Sequence, residues 1–145
     1  MTSVLDVANY FLCLQDIDAE DFISNLKMQK LCYYAQGFWL AIHNVRLFPN
    51  DIEAWQHGPV VPELYHKYKN NKSDRLPISE GFDQHVLSKK VTDLLEDIYQ
   101  TYGQYSAWRL RDMTHQEPPW ANTVKKRETI ISDREMINFF KTRLA

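Results

Sequence analysis

The longest apolar pattern in the chain lies between residues 26 and 42 and has the spacing of an α-helix. Seven of its residues fall within about 120° of a helical projection drawn at about 100° per residue. They are Met28, Leu31, Cys32, Ala35, Phe38, Trp39 and Ile42. An arc of this width is typical of a helix with one face on a hydrophobic core. The pattern therefore predicts a central helix with these residues inside.

The opposite side of the same helix carries a second apolar stripe. Leu26, Tyr33 and Leu40 recur at intervals of seven residues beside Gly37. Amide and ammonium side chains frame this stripe, namely Gln29, Gln36, Lys27 and Lys30. A helix at the protein surface does not need two apolar stripes. The second stripe must be covered either by another helix of the same chain or by a binding partner.

Shorter periodic segments predict further helices on both sides of the central one. Four serines stand where N-caps are expected: Ser3, Ser24, Ser106 and Ser132. The predicted helices run from about Val4 to Leu14, through the central stretch, from Pro62 through Tyr68, from Val91 to a C′ glycine at Gly103, from Ser106 to a break at His115–Trp120, and from Ser132 to Leu144. An acidic link, Asp16 to Asp21, joins the first two.

These segments predict an all-α or mainly α fold of about six helices in one compact domain, residues 1–145. A small β-hairpin could lie in residues 46–56 or 70–82, because both stretches contain turn-forming residues. The two regions differ little in turn chemistry, so the sequence leaves the choice between them open.

Composition narrows the class of protein without identifying a function. The chain has 145 residues, a formal net charge of −2 and 13% aromatic residues. No overall positive field attracts nucleic acid or anionic lipid. The two cysteines, Cys13 and Cys32, have no CxxC spacing, which fits a reducing compartment. No signal peptide or spanning segment is recognised, so a cytoplasmic protein with no membrane partner is expected.

The residues offer little support for catalysis or for a bound cofactor. Five histidines are scattered singly along the chain: His43, His57, His66, His85 and His115. No metal-binding spacing, phosphate-binding glycine loop or nucleophile motif occurs, so we expect no catalytic residues, metal or cofactor. Cys32 lies on the core arc, which favours a buried, inert thiol.

Two alternative functions stay open from the residues. An uncharacterised enzyme would require His57 and His115 to meet in a pocket with a carboxylate. A nucleic-acid-associated regulator would require two short basic clusters to converge on one face. These clusters are Lys125–Arg127 and the group of Lys67, Lys69 and Lys72. Acidic residues elsewhere balance each cluster, so solvated surface is favoured.

A glycine and a proline follow Trp55 and His57 in the sequence Trp-Gln-His-Gly-Pro. Gly58 can adopt positive φ and Pro59 is rigid, so this segment predicts a tight turn. The turn either packs Trp55 into the core or presents Trp55 and His57 beside the second stripe of the central helix, and both can hold together.

Two motifs at these positions resemble the Panacea domain, also called the SocA-like antitoxin domain or the GepA family of phage-associated proteins. The first is Leu-Lys-x-Gln-Lys-Leu-x-Tyr-Tyr-Ala-Gln-Gly at residues 26–37, and the second is Ala-Trp-x-x-Gly-Pro-Val at residues 54–60. Shorter matches follow at Tyr102-Gly103, Thr114-His115, Pro119-Trp120 and Ile131-Ser132. The resemblance covers nearly the whole chain in order.

The resemblance implies a small, mainly helical, prophage-associated antitoxin that binds its toxin directly. The cognate toxin would be encoded by an adjacent gene, and one family member delivers its toxin to the ClpXP protease. Nucleic acid is not an expected partner, and a homodimer stays open. The predicted partner-binding patch contains Leu26, Lys27, Lys30, Tyr33 and Gly37, and it is bordered by Trp55, His57 and Pro59. Tyr33→Ala is expected to weaken toxin binding without changing the melting temperature, unless Tyr33 belongs to the core.

Overall fold

The computed structural model describes residues 1–15 and 22–144, and within them the chain is mainly helical. The α-helices are α1 (Val4–Leu14), α2 (Asn25–His43), α3 (Pro62–Tyr68), α4 (Lys89–Tyr102), α5 (Ala107–His115), α6 (Pro118–Lys125) and α7 (Asp133–Lys141). The strands are β1 (Ile52–Trp55), β2 (Gly58–Val60) and β3 (Ile130–Ile131). Short 3₁₀ turns cover Lys69–Asn71 and Gln84–Val86. The predicted fold class is confirmed.

The predicted serine caps begin the helices at which they were placed. The Ser24 side chain accepts a hydrogen bond from the Lys27 backbone N–H, and Ser132 accepts one from Glu135. Each serine satisfies a backbone donor that the first helical turn leaves without an intrahelical partner. Local sequence therefore sets where α2 and α7 start.

Helix α2 lies at the centre of the domain and packs against α1, α4, α5 and α7. Asn25 is buried, every residue from Lys27 to Gly37 is buried, and so is Leu40, whereas Leu26 is partly exposed. Both apolar stripes are therefore inside the fold for most of the helix length. The core arc ends earlier than predicted, because Ile42 is 51% exposed near the C-terminus of α2.

A three-stranded antiparallel sheet in the order β2–β1–β3 packs beside α2. Strands β1 and β2 form a hairpin in which Trp55 pairs with Gly58 and Glu53 pairs with Val60. Strand β3 adds to the other edge of β1 through the pair Ile52 and Ile131. The hairpin overlaps the end of the predicted 46–56 region, whereas residues 70–82 contain no strand.

Two details of the helix ends differ from the sequence-based expectation. The break after His115 is short, because Pro118 starts a separate helix, α6, at a position where the missing N–H has no intrahelical partner to lose. Gly103 ends α4 in the right-handed helical conformation, with φ −64°, and not as a left-handed cap. The predicted acidic link, 16–21, lies outside the described residues. Among the described helices, none combines the length and apolar character needed to cross a membrane.

Candidate functional site

An open groove of about 490 Å³ lies between the β1–β2 hairpin, the start of α2, the end of α3 and the start of α5. Five apolar or aromatic side chains line it: Leu26, Trp55, Val60, Tyr65 and Trp108. The polar lining residues are Asn25, Gln29, Gln56, His57, Lys69 and Lys72. The groove therefore combines aromatic walls with a few polar groups, a composition typical of binding sites.

Two pairs of aromatic side chains line the groove. Trp108 is 59% exposed, and its indole meets the His57 ring edge to face at 5.9 Å between ring centroids. The Arg111 guanidinium lies 5.1 Å from the centroid of the Trp108 ring. In the second pair, the centroids of the Trp55 and Tyr65 rings are 5.0 Å apart. Large indoles held by ring and cation contacts can bury much area on binding with little loss of side-chain entropy.

The floor of the groove is fixed by buried amides of α2. Gln29 Nε2 donates to Asn25 Oδ1 at 2.9 Å, and Gln29 Oε1 accepts the backbone N–H of Val61 at 2.9 Å. Asn25 Nδ2 donates to the Tyr65 carbonyl oxygen at 3.1 Å. These bonds connect α2 to the hairpin and to α3, so they hold the two sides of the groove at a fixed separation.

The hairpin turn is held against α2 by a buried lysine. Lys30 Nζ donates to the Pro59 carbonyl oxygen at 3.0 Å. Gly58 has φ +113°, and a Cβ at this position would lie 2.7 Å from Lys30 Cε. Only glycine accommodates both this backbone conformation and this close approach. Burial, together with the nearby Arg111 guanidinium, lowers the pKa of Lys30 to about 7.

The predicted partner-binding patch does not form one exposed surface. Leu26, Trp55 and His57 line the groove. The other members of the patch are buried, namely Lys27, Lys30, Tyr33, Gly37 and Pro59. The lysines tolerate burial because backbone carbonyls accept from them: Lys27 Nζ donates to Gly103 O at 2.6 Å, as Lys30 does to Pro59.

The second stripe of α2 is covered by helices of the same chain, which was one of the two alternatives. Phe140 of α7 packs on Gly37 so closely that a Cβ there would lie 2.1 Å from the Phe140 ring. The Tyr33 and Phe140 ring centroids are 5.4 Å apart. Tyr33 is 0% exposed, so in this fold it contacts the protein interior and not the solvent.

A partly buried carboxylate, Glu117, joins two tyrosines of α2 to the start of α6. Tyr33 Oη donates to Glu117 Oε1 at 2.8 Å, and Tyr34 Oη donates to Glu117 Oε2 at 2.9 Å. Burial raises the pKa of Glu117, while the two hydroxyl donors act in the opposite direction. Burial, and then the nearby Glu117 charge, raises the pKa of Tyr33. Both hydroxyls therefore stay protonated and act as fixed donors.

The two histidines of the enzyme alternative contact different tryptophans. His57 meets Trp108 in the groove, whereas His115 is not among the lining residues and stacks on Trp120 at 4.0 Å. Burial lowers the pKa of His115, and the Arg111 charge adds to this effect. Trp120 Nε1 donates to the Trp55 carbonyl oxygen at 2.8 Å. His115 thus belongs to the packing of α6 on the hairpin.

Within the described ranges, the side chains form no metal-binding cluster, and neither cysteine has the surroundings of a nucleophile. No group of three or more His, Cys, Asp or Glu residues with metal-binding geometry occurs among residues 1–15 and 22–144. Cys32 is buried, as predicted, and burial raises the pKa of its thiol. Cys13 is exposed, and partial burial raises the pKa of its thiol as well. Neither thiol is activated.

The basic clusters have different surroundings. Lys69 and Lys72 line the groove, while Lys67 Nζ lies 5.7 Å from the centroid of the Tyr68 ring. In the other cluster, Lys126 pairs with Glu135 at 3.5 Å. The first cluster therefore contributes positive charge to the groove, and the second is partly neutralised by α7.

Sequence reasoning missed Trp108 and Tyr65 as groove residues. A usable signal was present for Trp108, because it is a large aromatic side chain near the start of the short helix predicted after Ser106. Tyr65 gave no such signal, since it lies within the helix predicted from Pro62 through Tyr68. Both side chains become a site only when the hairpin is placed between α3 and α5.

Comparison with known proteins finds one matching family model and a similar antitoxin. The family model for the antitoxin SocA-like, Panacea domain matches residues 28–121. Antitoxin SocA of Caulobacter vibrioides (strain NA1000 / CB15N) is 33% identical in an alignment of 109 residues, and the match covers 68% of this chain and 58% of that relative. The chain thus aligns with less than two thirds of the relative's length. Among solved structures, none matches the chain.

Proposed function

The chain belongs to the antitoxin SocA-like, Panacea domain family, and on that premise we propose that it is the antitoxin of a type II toxin–antitoxin system. It neutralises its cognate toxin, the product of an adjacent gene, by binding the toxin directly and without catalysis. The name of the relative, antitoxin SocA, supports this role. The exposed aromatic groove beside the hairpin is the observation that carries the proposal.

The toxin contacts the groove through the members of the predicted patch that line it, Leu26, Trp55 and His57, together with Trp108. Trp108 is the expected anchor because it is 59% exposed and can be desolvated fully by a partner. Tryptophans at the centre of an interface commonly carry a large share of its affinity. The buried patch residues act indirectly by fixing the hairpin, as Lys30 does through Pro59.

Delivery of the bound toxin to a ClpXP-type protease is a finer proposal, and only the family resemblance supports it. It is tested by following the toxin's half-life in cells with and without the antitoxin and with and without the protease. Antitoxin-dependent shortening that requires the protease supports delivery. An unchanged half-life with full growth rescue leaves sequestration as the mechanism.

The proposal is tested by co-expressing the chain with the product of the neighbouring gene, followed by growth rescue and co-purification. Trp108→Ala is expected to weaken toxin binding by about 30-fold, since anchor residues contribute about 2 kcal/mol or more. Val86→Ala is the matched control, because Val86 is 60% exposed and does not line the groove.

Two results would contradict the proposal at different levels. A harmless, unbound neighbouring product removes the pairing with that gene. Full rescue and unchanged affinity with Trp108→Ala, in a variant that keeps the wild-type melting temperature, removes the groove as the toxin-binding surface.

A further inference from the structure

We infer that the groove selects an acidic segment of the partner, in which carboxylates flank an aromatic or aliphatic residue. The inference rests on the proposed function, since it describes the chemistry of the toxin segment that occupies the same groove. It depends on the charges of the lining residues, on their ion pairs and on the hydrogen bonds of the buried amides.

The charged lining residues of the groove are both lysines. Lys69 and Lys72 belong to the 3₁₀ turn after α3 and to the residue that follows it, and no carboxylate lines the groove. Among the ion pairs of the described residues, none includes Lys69 or Lys72. The nearest acid in the hairpin, Glu53, accepts from Trp55 Nε1 at 3.0 Å and so is already engaged. The groove is locally positive on a chain whose net charge is −2.

The apolar lining supplies the second requirement for the ligand. Beside the two lysines, the groove is lined by the aromatic side chains Trp55, Tyr65 and Trp108. A side chain placed there buries its own area and that of the exposed indole. A segment with only charged residues would leave the apolar lining of the groove exposed to water.

The buried side-chain amides of Asn25 and Gln29 do not recognise a ligand, because they are hydrogen-bonded within the protein. The side-chain amides of Asn25 and Gln29 hydrogen-bond to each other. Asn25 also donates to the Tyr65 carbonyl oxygen, and Gln29 accepts from the Val61 N–H. The lining groups that can contact a ligand are the lysines, the apolar side chains and the exposed Gln56 and His57, so charge and apolar fit carry most of the selection. Complementary charges of this kind affect the association rate and the choice of partner more than the total affinity.

Single-stranded nucleic acid is the rival ligand, because lysines and indoles also bind phosphates and bases. Two lysines neutralise only about two phosphates, and the net charge of −2 opposes approach of a polyanion. An acidic segment has fewer charges and supplies the apolar side chain that the walls require. The observations favour a protein segment.

The test is selection of random twelve-residue peptides displayed on phage against the full chain, with Trp108→Ala as the counter-selection. We expect the wild type to enrich peptides with net negative charge around an aromatic or aliphatic residue. The double variant Lys69→Glu/Lys72→Glu should enrich neutral or basic peptides and should bind the best wild-type peptide about tenfold more weakly. Binding of a ten-nucleotide oligo-dT to the wild type is measured in parallel by the quenching of tryptophan fluorescence.

Three results would overturn the inference. The first is equal net charge in the peptides selected by the wild type and by the double variant. The second is that the wild type enriches no peptide more than Trp108→Ala does. The third is tighter binding of oligo-dT than of the best peptide. Growth rescue by the double variant separates the two proposals. Full rescue with unchanged toxin affinity refutes charge selection and leaves the antitoxin function standing. Failure of the wild type to rescue, with acidic peptides still selected, refutes toxin neutralisation alone.

Discussion

Replacement of Tyr33 by alanine distinguishes an interface residue from a core residue in α2. Tyr33 is 0% exposed, and its ring packs edge to face on Tyr34 at 5.0 Å and on Phe140 at 5.4 Å. Its hydroxyl donates to Glu117 Oε1 at 2.8 Å. The substitution removes the ring, leaves a cavity and takes one of the two tyrosine donors from the partly buried Glu117 carboxylate.

The expected loss in the free energy of unfolding follows from these contacts. Truncating a buried aromatic side chain to alanine costs about 3–5 kcal/mol. For a domain of this size, about 1 kcal/mol corresponds to roughly 3 °C in melting temperature. Tyr33→Ala should therefore lower the melting temperature by about 9–15 °C. Tyr33→Phe keeps the ring and loses only the hydroxyl, so it should cost about 1–2 kcal/mol.

The measurement is thermal and urea unfolding followed by circular dichroism at 222 nm. Trp108→Ala serves as the surface control, and it should change stability by no more than about 1 kcal/mol, because Trp108 is largely exposed and loses mainly a cation–π contact. A melting temperature within about 3 °C of the wild type for Tyr33→Ala, accompanied by lost toxin binding, would refute the burial of Tyr33 and restore it as an exposed anchor.

Three further predictions use the glycines and the buried lysine. Gly58→Ala should destabilise more than Gly81→Ala by about 1–3 kcal/mol in urea unfolding, because both glycines have positive φ but only at Gly58 would a Cβ clash; equal losses would contradict the close approach. Gly37→Ala should lower stability although alanine favours helices by about 1 kcal/mol, since the Phe140 ring occupies the space; a higher melting temperature would contradict this packing. The folded-state pKa of Lys30 is lowered from 10.5 to about 7, so below pH 7 both states are charged and the burial penalty is complete. As pH rises above 7, the wild type should gain stability relative to Lys30→Met, by at most about 1.4 kcal/mol per pH unit; a flat or falling difference between pH 7 and 9 would contradict the shift.

The two sequence motifs, one in α2 and one in the hairpin, contact each other in the fold. The motif of α2 and the motif of the hairpin were recognised as separate signatures, and the structure shows that they contact each other. Gln29 accepts the Val61 N–H, and Lys30 donates to the Pro59 carbonyl oxygen. Much of the recognisable sequence therefore maintains the hairpin beside α2, and the groove is a consequence of that placement.

Local sequence was sufficient for most helices because their signals lie within a few residues. Ser24 and Ser132 cap the helices they were predicted to cap, since an N-cap bonds a backbone N–H only two or three residues away. The sequence pattern does not predict α6, because Pro118 and Pro119 mark only the end of the preceding helix in it. Proline ends one helix but is also favoured at the first position of the next.

The sequence by itself determined the mainly helical class, the central position of α2 and the resemblance to the antitoxin family. Only the tertiary structure decided which polar residues of α2 are buried and which aromatic residues remain outside. A lysine in a helix is normally solvated, so burial of Lys27 and Lys30 depends on carbonyl acceptors at Gly103 and Pro59, far away in the chain. The exposure of Trp108 likewise depends on how α5 meets the hairpin, which no local pattern specifies.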